Sequence, residues 1–101
     1  MNIAPYEAKI IASAIDYFVK QDLPYIPEKR KIEFDNQALE AKAIIVACEK
    51  EMNISHIQAV SLAIETYISF LKKSVLTNPQ VLNTAEALAD RFGILLEPFL
   101  D

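Results

Sequence analysis

The sequence is poor in the residues from which catalytic and metal sites are usually built. Its 101 residues include one glycine, one cysteine, one histidine and no tryptophan. A single glycine excludes the glycine-rich loops that cradle phosphates, and one histidine with one cysteine offers no metal-ligand spacing. The lone Cys48 cannot form an internal disulfide, which favours a reducing compartment. We therefore expect a protein that is not an enzyme and uses no cofactor or metal.

Long apolar runs are also missing. No run approaches the roughly 20 residues that span a bilayer, and the first residues, MNIAPYEAK, lack the basic start and apolar stretch of a signal peptide. These absences predict a cytoplasmic protein without membrane contact. The net charge is −4, and an acidic chain is a poor non-specific binder of nucleic acid, because phosphate binding depends largely on Lys and Arg.

What the chain has in quantity is helix-forming, core-forming sequence. It is 52% hydrophobic and 24% charged, which supports a real core, and it is rich in Ala, Ile, Leu, Glu and Lys. We predict a mainly α protein: a single helical domain over residues 1–101, folded as a small four- to five-helix bundle. One short extended segment is expected near residues 29–34.

The first and third predicted helices are amphipathic. The first covers about residues 5–21, with Pro5 in its first turn. The third begins at a capping box formed by Ser55 and Gln58 and runs to about Ser74. Most of its circumference is apolar, so we expect it at the centre of the core.

The second predicted helix, about residues 36–52 with Asp35 as N-cap, carries two apolar stripes. The main stripe consists of Ala38, Ala41, Ile44, Ile45, Cys48 and Met52, and nearly opposite lie Leu39, Ala43 and Val46. A helix with two apolar stripes packs against two neighbours. In so short a chain, the second neighbour can come from another subunit.

The last predicted helix starts near TNPQ, with Thr77 as cap, and ends at Gly93; Asn83 and Thr84 can split it in two. The apolar tail that follows must pack on its own core or in a partner's groove. Three apolar features together predict a homodimer or partner surface: the second stripe of the second helix, two residues outside the main apolar face of the third helix, and the tail. The residues of this predicted surface are Leu39, Ala43 and Val46 in the stripe, Leu62 and Phe70 in the third helix, and Phe99 and Leu100 in the tail.

The stretch PYIPEKRKIEFDN, residues 24–36, is open to two interpretations. Its prolines disfavour helix, and Ile32 and Phe34 alternate with Lys31 and Glu33, a period of two that indicates a short half-buried strand. The alternative is a linker with a solvated basic tip at Lys29, Arg30 and Lys31.

The order of a basic stretch, a strand and two helices over residues 29–71 resembles the ribbon-helix-helix family of dimeric DNA-binding repressors. The resemblance is carried best by NISHIQAVSLAIETYI, with Asn53, Ile54, Ser55, Val60, Ala63, Ile64, Tyr67 and Ile68. It implies that two strands pair into a ribbon in the major groove. Lys29, Lys31 and Glu33 would then face the bases beside Arg30, Ile32 and Phe34 would face the core, and Ser55 would lie near a phosphate.

Other chemically capable residues are expected to be structural. His56 lies in the first turn of a helix and Cys48 on an apolar face. Glu49 and Glu51 are two residues apart and diverge on a helix, whereas Glu86 and Asp90 are neighbours on a solvated face. The sequence therefore favours a small interaction or regulatory module that acts through apolar helix surfaces as a homodimer. The alternative is a ribbon-helix-helix-like repressor, and the strand discriminates between the two.

Overall fold

Four α-helices make up most of the chain in the computed structural model, which describes residues 3–47 and 52–99 and, for Phe99, the backbone only. α1 spans Pro5–Lys20, α2 Glu28–Val46, α3 Ile54–Lys73 and α4 Pro79–Leu96, and a short 3-10 helix follows at Glu97–Phe99. The described residues contain no strand. The mainly α prediction is confirmed, and the short strand is not formed.

The helices are arranged around a central pair. α1 and α3 contact each other, and both also contact α2 and α4. Within the described ranges, α2 and α4 do not contact each other. α3 thus touches all three other helices, and α2 and α4 each leave an outer face open.

The core is formed where the apolar faces of the four helices meet. α1 and α3 each turn an apolar face towards the core. On α3 the polar Ser61 is buried as well, at 8% exposed, and Val75, beyond the end of the helix, is 97% exposed. The fully buried large side chains are Phe18, Phe92, Ile11, Ile15, Ile64, Leu88 and Val60.

Residues 28–34 are the main correction to the sequence-based expectation. They form the first two turns of α2, which begins just after Pro27 rather than at Asn36. Proline is compatible with a helix start, because no intrahelical N–H bond is needed there. Asp35, predicted as an N-cap, lies inside the helix.

Helical spacing explains this stretch better than the period of two. Phe34 continues the inner face of Ala38, Ala41 and Ile45 and packs on the core, whereas Ile32 falls on the outer face and is 54% exposed. Two ion pairs with helical spacing, Arg30–Glu33 and Lys31–Asp35, add to the good helix propensity of this stretch. The apolar–polar alternation extends over only four residues, and the helical spacing and helix propensity of the longer stretch outweigh it.

α3 begins one residue before the predicted cap. Asn53, not Ser55, caps the helix: its Oδ1 accepts from the His56 backbone N–H at 2.9 Å, and the His56 Nδ1 accepts from the Asn53 N–H at 3.3 Å. This is a capping box with histidine in the place usually taken by Glu or Gln. The imidazole nitrogen supplies the acceptor that a carboxylate would otherwise provide.

α4 is continuous and longer than predicted. Asn78 caps it through the Gln80 N–H, and Thr77 instead donates to the Leu71 carbonyl at the end of α3. No break occurs at Asn83 or Thr84, and Gly93 lies inside the helix, which continues to Leu96. Glycine permits a helix end but does not impose one.

Among the described helices, α3 alone is long and apolar enough to cross a bilayer, judged by length and composition. A helix at the centre of a core meets the same criterion, and α3 contacts the three other helices.

Candidate functional site

The outer face of α2 carries an apolar stripe, which we call the α2 seam: Ile32, Leu39, Ala43 and Val46, with the polar Asn36 between its first two members. Spacings of seven, four and three residues align these positions along one side of the helix over about 21 Å. Ile32 is 54%, Leu39 46% and Val46 65% exposed, and Ala43 is exposed too. The inner stripe, at Ala38, Ala41 and Ile45, is buried, so α2 has one packed and one open apolar face.

Three of the four seam residues were predicted from the sequence. Ile32 was missed because the strand interpretation turned it towards the core. The helical spacing from Ile32 to Leu39 was the available signal, and it becomes visible once α2 is extended back to Glu28.

The other predicted partner residues have different surroundings. Leu62 is partly buried against the core. Phe70 is 43% exposed, and its ring stacks on Tyr17 at 4.6 Å and on Tyr67 at 6.1 Å. Phe70 therefore belongs to an aromatic cluster that joins α1 to α3. The Phe99 side chain and Leu100 lie outside the described part of the chain, as do Cys48 and the Glu49–Glu51 pair.

Lys31, predicted to contact DNA, is a structural residue that is only 9% exposed. Its Nζ donates to the Phe18 carbonyl at 3.0 Å and to Asp35 Oδ1 at 2.6 Å, and it lies 4.4 Å from the centre of the Phe18 ring. A cation at the C-terminus of α1 also complements the helix dipole. Lys31 ties α2 to the end of α1 and is not presented to a nucleic acid.

The remaining predicted DNA contacts lie at the starts of α2 and α3. Arg30 pairs with Glu33 at 2.9 Å and lies 5.0 Å from the centre of the Phe34 ring. Lys29 is exposed, and Ser55 is half-buried in the first turn of α3. With residues 28–34 helical, no strand is present there to pair into a ribbon. DNA binding stays a prediction that no observation on the described residues favours.

The only histidine links α3 to α2. His56 is 8% exposed, and its Nε2 lies 2.9 Å from Glu40 Oε2. Because Nδ1 accepts from the Asn53 N–H, the ring proton lies on Nε2 and is donated to Glu40.

The carboxylates of Glu86 and Asp90, predicted to be solvated, are exposed on α4. Among the described residues, no three His, Cys, Asp or Glu side chains are arranged so that they could hold a metal ion.

Two further ion pairs connect the helices at their edges. Lys42 on α2 pairs with Asp16 on α1 at 2.6 Å, and Arg91 on α4 pairs with Glu7 on α1 at 2.6 Å. The Ala4 backbone N–H and the Arg91 guanidinium lower the pKa of Glu7, against the opposing effect of partial burial. These pairs orient the flanking helices on the central pair.

A valley runs over the outer face of α3, and sequence periodicity alone does not reveal it because three helices form it. Two depressions adjoin at Glu65, with volumes of about 370 and 580 Å³. The first has apolar walls from Phe34, Leu62 and Leu96. The second is lined by the acidic residues Glu65, Asp90 and Glu97 and by Ala89, Gly93 and Ile94, with no cation in its lining. We call the two together the α3 valley.

No protein-family model, no curated protein and no solved structure matches this chain. The ribbon-helix-helix resemblance thus gains no support from these comparisons.

Proposed function

We propose that this protein is a small interaction module that works as a homodimer, in which the α2 seam of one copy packs against the α2 seam of another. The observation that carries the proposal is the open apolar stripe on a helix whose opposite face is already buried. Apolar residues scattered singly over a surface are ordinary, but a contiguous patch marks an interaction site.

An antiparallel arrangement of the two α2 helices suits the seam. With Leu39 at the crossing point, it meets Leu39 of the partner subunit, and Ile32 faces the partner's Val46. The polar residue within the stripe, Asn36, lies opposite the partner's Ala43, where a small side chain leaves room. Apart from Asn36, the side chains in this contact are apolar.

The charges beside the seam favour the same arrangement. Asp35 and Lys42 flank one side of the stripe. Each already forms an ion pair within its own copy, with Lys31 and with Asp16, and in an antiparallel pair Lys42 also approaches the partner's Asp35. Symmetry produces this contact twice. Complementary charges at the rim of an interface set its register more than its affinity.

The size of the seam predicts a dimer of modest affinity. Its exposed area is roughly 300–350 Å², within the range of functional patches on monomers, whereas a standard interface buries about 800 Å² on each partner. We expect the dimer to dissociate upon dilution through the micromolar range. Reversible pairing of this kind is suited to a regulator, adaptor or inhibitor.

The first test is the molar mass of Leu39→Glu in solution, compared with Tyr25→Glu. Both positions are exposed, at 46% and 71%, so neither change disturbs the core, but only Leu39 lies in the seam. Light scattering should give twice 11.4 kDa for the wild type and Tyr25→Glu at high micromolar concentration, and a monomer for Leu39→Glu. A monomeric wild type, or a dimeric Leu39→Glu, contradicts the proposal.

A second test fixes the geometry. In a Cys48→Ser background, Leu39→Cys should form an intermolecular disulfide rapidly upon mild oxidation, because residue 39 faces its own copy at the crossing. Tyr25→Cys provides the control for random collision. Equal cross-linking rates at the two positions would exclude the antiparallel pairing.

A further inference from the structure

Among the described residues, the two most exposed large apolar side chains lie next to each other in the turn between α3 and α4. Val75 is 97% and Leu76 90% exposed, and Lys72 and Lys73 precede them in the last turn of α3. We call residues 72–76 the basic turn. Lys72 and Lys73 are exposed and take part in none of the ion pairs formed within the described residues.

Hydrogen bonds hold this turn in shape on both sides of its apolar tip. The Ser74 N–H donates to the Leu71 carbonyl at 3.2 Å, and the Thr77 hydroxyl donates to the same oxygen at 2.7 Å. The Leu76 N–H lies 3.4 Å from the Ser74 hydroxyl. A turn already ordered loses little conformational entropy when it binds, so the exposed tip is preorganised for contact.

The α3 valley has the complementary character. Its second depression combines the acidic side chains of Glu65, Asp90 and Glu97 with apolar surface from Ala89 and Ile94. Ile94 is 63% exposed and lies beside these three carboxylates. None of the three acids takes part in the ion pairs formed within the described residues.

We infer that the basic turn of one copy docks into the α3 valley of a second copy, with Val75 and Leu76 against Ile94 and Lys72 and Lys73 facing the acidic rim. Charge complementarity selects this occupant. The residues that follow Glu97 include Asp101 and no cation, so they would bring further negative charge to the valley. The basic turn, by contrast, joins two adjacent exposed cations to two adjacent exposed apolar side chains.

This contact joins two different surfaces of the protein, unlike the symmetric α2 seam. A contact between unlike surfaces forms a closed ring or pair if its rotation closes, and a filament if it does not. Because neither the basic turn nor the α3 valley includes a residue of the α2 seam, the inference does not depend on the proposed dimer. Together they would make a protein that assembles beyond two copies.

The test is a charge exchange between the two surfaces, followed by sedimentation velocity at low salt over a wide concentration range. One variant carries Glu65→Lys and Asp90→Lys, and the other carries Lys72→Glu and Lys73→Glu. All four positions are exposed, so both proteins should fold. Each variant alone should associate through this contact at least about tenfold more weakly than the wild type, since like charges then meet.

The equimolar mixture of the two variants should recover the association, because each valley then finds a turn of opposite charge. High salt should weaken the wild-type contact, since exposed charges are screened. Val75→Ser with Leu76→Ser should also weaken it, and Tyr25→Ser in the loop between α1 and α2 should not. Recovery in the mixture supports the inference, and failure of the mixture to associate more strongly than the separate variants overturns it.

The same measurements in a Leu39→Glu background separate the two interfaces. If the seam dimer is real, this background removes the dimer and leaves the salt-sensitive step. If the seam proposal is wrong, Leu39→Glu leaves the association unchanged, and the charge exchange still tests whether the basic turn docks into the valley. A wild type with no salt-sensitive association at millimolar concentration also overturns the inference. The inference is also overturned if the association persists in both charge-reversed variants and in the variant with the two serine changes.

Discussion

Replacing Lys31 by methionine should destabilise the protein more than any other lysine-to-methionine change at the start of α2. The change keeps the aliphatic stem, which still packs on Phe18, and removes the ammonium group. Two hydrogen bonds are lost, to the Phe18 carbonyl at 3.0 Å and to Asp35 at 2.6 Å. The cation–π contact at 4.4 Å disappears as well.

The structure sets the size of this effect. The side chains of Lys31 and Asp35 are 11% and 23% exposed, so their pairing is more shielded than that of a surface ion pair. A hydrogen bond that involves a charged group contributes about 1.5–3 kcal/mol, and water can reach part of the Asp35 carboxylate after the change. We expect a loss of about 2 kcal/mol from an unfolding free energy of about 5–15 kcal/mol.

The assay is urea denaturation followed by circular dichroism, at one fixed protein concentration because dimerisation also contributes to stability. Lys29→Met is the matched control: Lys29 lies on the same helix two residues away and is exposed, so its change should stay within about 0.5 kcal/mol. In a thermal scan, a loss of about 2 kcal/mol corresponds to roughly 10 °C in Tm for a domain of this size.

Equal stabilities of Lys31→Met and Lys29→Met would refute the reasoning. Such a result would mean that Lys31 is solvated, as the linker and ribbon interpretations require. The comparison therefore tests the helical start of α2 as well as the role of the lysine.

Two further predictions concern helix starts and pH. Asn53→Ala should lower the free energy of unfolding by about 1 kcal/mol because it removes the N-cap of α3, whereas Ser55→Ala should leave it nearly unchanged. If urea denaturation shows the larger loss for Ser55→Ala, Ser55 is the cap and the assignment to Asn53 is wrong. Glu7→Gln should lower stability at neutral pH, because Glu7 has a lowered pKa and pairs with Arg91. A group with a lowered folded-state pKa stabilises the protein above its unfolded pKa and loses that contribution as pH falls through the folded value. The difference between wild type and Glu7→Gln should therefore be constant at neutral pH and shrink as pH falls below the ordinary carboxyl value of 4.5; a difference that persists in acid would contradict the assignment.

Much of the helical architecture follows from local sequence. α1 and α3 begin and end close to where apolar periodicity and capping residues place them, because each is long and regular enough for one pattern to dominate. The two stripes of α2 were readable for the same reason, and Ala38, Ala41 and Ile45 are buried as expected. The exposure of Leu39 and Val46 also follows the pattern.

The start of α2 was predicted wrongly because its local pattern indicates a strand. Within Lys31–Phe34 the pattern has a period of two, and only the continuation of the Phe34 face through Ala38 and Ala41 shows a helical period. The cap of α3 was misplaced for a related reason, because Asn53 pairs with a histidine rather than with Glu or Gln. Both errors come from short windows in which two patterns compete.

The sequence by itself determined which faces of the long helices are apolar, because that property depends on residue spacing within one helix. Only the tertiary structure decided which apolar faces meet. It buries one stripe of α2 and leaves the α2 seam open, brings Lys31 to the Phe18 carbonyl, and forms the α3 valley from parts of three helices. These relations join residues far apart in the chain, and no local spacing encodes them.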